Sequence, residues 1–184
     1  MKQHFLLMAV LLTMITMVQT HEQLPYSKIP DPAESYTAGT VASRMVDGLG
    51  FRYYWATEGL RPEDLNYRPS ASGRTTDETL DHILGLTTFI VNTLSPPKAE
   101  AEKKELSFEA KRRQTLLLLK TASDILKKTD NLEQFDNANF PFWNLINGPI
   151  ADALWHCGQV VMLRRASGNP FNSKVSVFWG KLRE

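Results

Sequence analysis

Gly148-Pro149-Ile150-Ala151-Asp152-Ala153-Leu154-Trp155-His156-Cys157-Gly158-Gln159-Val160-Val161-Met162-Leu163-Arg164-Arg165 decides how the rest of the chain is read. The run is apolar enough to be a packed helix, opens with a proline in a favoured first-turn position, and stops at Gly168-Asn169-Pro170. Within it Asp152, His156 and Gln159 recur at steps of four and three residues, which puts a carboxylate, an imidazole and an amide on one face. Polar groups on an otherwise apolar helix are costly unless something satisfies them, and a metal ion is one way to do so.

Three further helical segments precede this one. The first is expected over residues 33–57, with Val41, Met45, Leu49 and Tyr53 as an i,i+4 apolar ladder. The second opens with Thr75 and Glu78 at capping-box spacing, carries His82, and ends before Ser95-Pro96-Pro97. The third is expected over residues 107–129, with Glu109, Lys111, Arg112 and Arg113 as a solvated face. Residues 130–147 read as a connection anchored by Phe135, Phe140, Phe142 and Trp143, and residues 175–180 as an extended tail without a partner strand. Trp55, Trp143 and Trp155 read as core or interface anchors. Four long amphipathic helices with little strand signal predict an all-α four-helix bundle with a short extended C-terminal tail.

Residues 1–20 read as a signal peptide: Lys2 gives a basic start, and the apolar run from Phe5 to Val18 is shorter than the roughly 20 residues of a spanning helix. The expectation is export to a periplasmic or extracellular space, with no stable membrane anchor after cleavage. Residues 21–32 form a proline-rich extended lead-in, and residues 33–184 one domain. Without the leader, 20 basic and 20 acidic side chains remain. That balance leaves no electrostatic footprint for nucleic acid. One cysteine forms no internal disulfide, so packing must carry the fold; four tryptophans and nine phenylalanines supply bulk for it. Phosphate-loop and G-x-S-x-G spacings are absent, which removes the sequence support for nucleotide binding and serine-hydrolase chemistry.

His82, Asp152 and His156 are the candidate metal ligands. Helices facing one another in a bundle converge on its axis, and three protein ligands leave a coordination position open. Gln159 is a candidate for orienting His156 from outside the coordination sphere. The alternatives are metal-free: a helix-dipole role for Asp152 and hydrogen bonds from the two histidines. Cys157 adjoins His156 but is rotated about 100 degrees from it along the helix, so it reads as a buried free thiol. Arg164 and Arg165 suit the negative end of the helix dipole.

The run Asp64-Leu65-Asn66-Tyr67-Arg68-Pro69, then Gly73, Thr76 and His82, resembles the approach to the second helix of the DinB/YfiT-like family. Asp152-Ala153-Leu154-Trp155-His156-Cys157-Gly158-Gln159 with Gly168-Asn169-Pro170 resembles its closing helix. The resemblance implies a DinB-like four-helix bundle holding a divalent metal on His82, Asp152 and His156. Most members carry histidine where this chain has Asp152, whereas the related mycothiol-dependent maleylpyruvate isomerases carry a carboxylate. That substitution makes the ligand set harder and more oxygen-rich, so iron or manganese join nickel and zinc, zinc being the first choice. Arg74 stands where members often have tryptophan. The implied activity is a metal-dependent thiol S-transferase or hydrolase acting on a small molecule, with a homodimer compatible. The alternative is a non-catalytic DinB-like bundle that serves ligand binding or interaction.

Overall fold

A computed structural model describes residues 23–95, 105–138 and 140–184. The expected signal segment, His21 and the charged stretch before Glu105 lie outside the described residues. The chain is mostly helical: α1 (Ala38–Thr57), a short α2 (Pro62–Asn66), α3 (Thr76–Leu94), α4 (Phe108–Lys127), α5 (Phe142–Leu145) and α6 (Ala151–Ala166). Helix α1 packs on α4 and α6, and α3 packs on the same two, which encloses one core. No helix among the described residues is long and apolar enough to cross a membrane.

Capping chemistry sets where the helices begin. Thr37 and Thr40 exchange backbone and side-chain hydrogen bonds at the start of α1 (2.8 and 3.2 Å), so the helix starts at Ala38 and residues 33–37 stay outside it. Thr75 and Glu78 close the same kind of box on α3 (2.7 and 3.1 Å). Arg68 then ties the preceding loop to this box, donating to Glu78 at 2.9 Å and to the Gly73 carbonyl.

The core face of α1 is Ala42, Val46, Leu49, Tyr53 and Ala56: Leu49 and Tyr53 of the expected ladder are fully buried, whereas Val41 and Met45 are exposed and Ala42 and Val46 take their place. Gly39 explains how closely α1 meets α4, because a Cβ there would stand 1.9 Å from the Thr129 carbonyl oxygen. The basic stretch of α4 is also less solvated than expected. Lys111 is only 3% exposed and reaches Asp77 (2.8 Å) and Asp81 (2.6 Å) across on α3. Arg112 bonds Thr57 (3.0 Å) and Glu58 and covers the Tyr54 ring.

The last helix begins at Ala151, close to the expected start at Pro149, and a short helix leads into it. Helix α5 runs through a π-type turn, Ile146–Ile150, into α6, with Gly148 (φ −94°, ψ −105°) breaking the helical path. Pro149 lacks the N–H that a straight helix would use and its ring crowds the carbonyl four residues back, so the path kinks. Buried Phe142 and Leu145 hold the upstream turn, whereas Trp143 and Trp155 lie on the surface and pack no core. The C-terminal segment finds its partner in itself: Val175–Ser176 (β1) pairs antiparallel with Lys181–Leu182 (β2). Gly180 at φ +63° closes that hairpin, and its carbonyl accepts from Ile29 N at 2.8 Å, fastening the lead-in to the tail.

Candidate metal centre

Helices α3 and α6 bring His82, Asp152 and His156 together from positions 70 or more residues apart in sequence. His82 lies in the second turn of α3, whose start the Thr75 box fixes. Asp152 lies in the first turn of α6, just past the kink, and His156 one turn later. One ligand atom from each residue can be chosen such that all lie within 4.8 Å of one another.

The Asp152 carboxylate bridges the two imidazoles. His82 Nε2 lies 3.3 Å from Asp152 Oδ2, and His156 Nε2 lies 3.4 Å from Asp152 Oδ1. Each histidine thus faces its own carboxylate oxygen, and the three side chains are close enough to hold one ion. The imidazole rings meet edge to face, with centroids 4.5 Å apart at 86°. Burial is asymmetric: the side chains of His82 and Asp152 are 35% and 40% exposed, that of His156 only 12%. Approach is therefore open on the His82–Asp152 side, and an N₂O donor set suits zinc while the carboxylate admits harder cations.

Gln159 completes the arrangement. Its Oε1 lies 2.8 Å from His156 Nδ1. An amide oxygen only accepts, so Nδ1–H is the donor in this contact, and Nε2 is the ring nitrogen that faces Asp152. The i,i+3 step read from the sequence produces this contact. Cys157 is turned away into the core, where burial pushes its thiol up to about 12, and it has no part in the cluster.

A second set of polar residues positions α6. Arg164 is 2% exposed and donates to the carbonyls of Ala56 and Glu58 (2.9 Å each) at the end of α1, and to Asn169 O at 2.7 Å. It therefore satisfies carbonyls at the end of α1 while tying down the loop that follows α6. Asp64, fully buried, accepts from Arg61 backbone and guanidinium (2.8–3.0 Å) and from Ser167 and Asn169 (2.6 Å each). These bonds lock the end of α6 to the α1–α2 connection. Arg164 was read from sequence as an ordinary dipole partner of its own helix; its role at the end of α1 is a long-range contact that no local pattern encodes. Arg165, by contrast, is exposed and lies over the Phe171 ring.

Comparison of the chain with protein-family models, with curated proteins and with solved structures gives no match.

Proposed function

We propose that this chain is an exported, DinB-like four-helix-bundle metalloprotein that binds one divalent cation through His82, Asp152 and His156. The observation that carries the reading is the convergence of one ligand atom each from His82, Asp152 and His156, all within 4.8 Å of one another. The mutual packing of α1, α3, α4 and α6 supports the bundle.

Each residue has a distinct task. Asp152 offers its two oxygens to the two histidines and sets the charge of the donor set. His156, nearly buried and held by Gln159, fixes the direction of one lone pair. His82 closes the site from α3 on its half-exposed side, where a small substrate enters. A divalent cation bound there supplies Lewis acidity, which lowers the pKa of a thiol or of water. The reaction class we favour is metal-dependent thiol S-transfer or hydrolysis, with zinc, nickel, iron or manganese as the cation.

The test uses untagged protein lacking residues 1–20, with His82→Ala and His156→Ala beside it. Elemental analysis after purification and after reconstitution with Zn, Ni, Mn and Fe(II) is expected to give stoichiometric metal in wild type and loss in both variants. Equally low metal in all three proteins would overturn the proposal in favour of a non-catalytic bundle. In that case Asp152 only pairs with the histidines. Given bound metal, a panel of thiol-transfer and hydrolase substrates assigns the chemistry.

A further inference from the structure

A cavity of about 410 Å³ opens between the lead-in, α1 and the end of α4. Val41 and Met45, the two ladder positions that the core leaves out, give it an apolar wall. Ser43 and Asp47, one helical turn apart on α1, give it a polar one, and Arg44 and Lys127 line it as well. The two polar residues belong to the interior: Ser43 is 2% exposed and Asp47 6%.

Asp47 is a buried acid without a counter-charge. Among the described residues no lysine, arginine or histidine pairs with it. Asp31, the other carboxylate of the cavity, is already matched by Lys28 at 3.0 Å. The bonds that Asp47 does receive come from neutral hydroxyls and go to one oxygen: Ser123 (2.6 Å) and Tyr26 (3.2 Å) both donate to Oδ1. Oδ2 accepts none among the described residues. Because the Ser123 hydrogen is spent on Asp47, Ser43 is the donor in the 3.0 Å contact between the two serines, and its own lone pairs are left to accept. The cavity therefore meets two buried acceptors, one of them charged. Leaving a carboxylate in the interior without a cation is costly, yet the lead-in is strained to support this one. Tyr26 takes φ +75°, a left-handed conformation rare for a bulky residue, and its ring lies where a Cβ at Gly50 would stand 2.5 Å away.

We infer that this cavity binds a small apolar amino acid as its zwitterion. An ammonium group carries three donors and no acceptor, which suits Asp47 Oδ2 and Ser43 Oγ. The ligand carboxylate faces Arg44 and Lys127, and its side chain lies on Val41 and Met45. Arg44 donates to the Pro30 carbonyl at 2.6 Å, which holds its side chain against the lead-in. These two cations disfavour a plain amine or polyamine, and Asp47 disfavours a plain carboxylate. The volume lies within the roughly 300–1,000 Å³ of small-molecule pockets. The inference is independent of the metal reading, since the two sites share no residue.

The experiment is calorimetric titration of the protein in chelator with L-norleucine, pentylamine and hexanoate. The second lacks the carboxylate of the first, and the third lacks its ammonium. L-Norleucine is expected to bind roughly tenfold or more tightly than pentylamine, and hexanoate more weakly than either, as charge-assisted hydrogen bonds require. Asp47→Asn keeps the shape and an acceptor for Ser123 and Tyr26, and should weaken both amines by roughly tenfold or more. Lys127→Gln changes an exposed side chain that the core does not use, so it tests the proposal even where the Asp47 variant fails to fold. It should weaken L-norleucine alone and leave pentylamine unchanged or tighter. His82→Ala should alter none of these values. Hexanoate binding as well as L-norleucine, no heat from L-norleucine at millimolar concentration, wild-type affinity in a folded Asp47→Asn protein, or L-norleucine binding unaltered by Lys127→Gln would each overturn the proposal.

Discussion

Asp64→Asn tests how the helix that carries Asp152 and His156 is held in place. The substitution keeps shape and volume but removes the charge and sets an N–H₂ group among donors from Arg61, Ser167 and Asn169. Breaking a fully buried ion pair costs about 3–5 kcal/mol. Arg61 is 49% exposed and regains water, which reduces its share toward the roughly 0–1 kcal/mol of surface pairs. The bonds from Ser167 and Asn169 are charge-assisted, and asparagine retains one acceptor for them. The net expectation is a loss of about 2–3 kcal/mol near neutral pH. The effect should also depend on pH. Hydrogen bonds from the Arg61 side chain, which outweigh the effect of burial, with further bonds from Ser167, the Arg61 backbone and Asn169, hold the Asp64 carboxyl well below the usual carboxylate range. The unfolded chain therefore binds this proton more readily, at about pH 3.9. The stabilisation is complete above about pH 5 and is lost as pH falls through the lower, folded-state value. Urea unfolding of wild type and variant at about pH 7 and about pH 2 measures both effects. A difference below about 0.5 kcal/mol at neutral pH, or one that does not shrink in acid, would refute the argument.

Three further outcomes follow from the same contacts. Gln159→Leu should weaken zinc binding about 10–100-fold by freeing the His156 tautomer, and Gln159→Glu should restore it; chelator competition reads both. Tyr53→Phe should be neutral or stabilising by up to about 1 kcal/mol in thermal unfolding, because the fully buried Tyr53 hydroxyl makes no well-formed hydrogen bond among the described residues. Lys111→Met should cost only about 1 kcal/mol, since it keeps the buried stem while Asp77 and Asp81, both exposed, regain hydration; a loss above about 3 kcal/mol would contradict this.

Sequence periodicity located α3 and α4 within a residue or two, because capping residues and apolar spacing are local properties. It misjudged features set by neighbours. Lys111 looks like one member of a basic surface run, yet its ammonium is buried against two carboxylates on another helix. Its pKa shows the balance: burial pulls it down, and hydrogen bonds and charge from Asp77 and Asp81 outweigh that and raise it. Trp143 reads as a packing anchor by residue type, but it lies outside the core; Trp155, read as a core or interface anchor, is also on the surface, which removes the core alternative alone. The tail looked partnerless because a two-residue strand carries almost no periodic signal.

By itself, the sequence determined that Asp152, His156 and Gln159 share a face, since 3.6 residues per turn requires it once the segment is helical. It also determined a mostly helical chain with a capped helix carrying His82. Only the tertiary structure decided that His82 comes within 3.3 Å of Asp152, because that distance depends on how α3 and α6 pack. It likewise decided that Arg164 binds the end of α1 and that Asp64 ties α2 to the residues that follow α6. Helical spacing is fixed by covalent geometry within one turn, whereas these contacts depend on how separate helices pack.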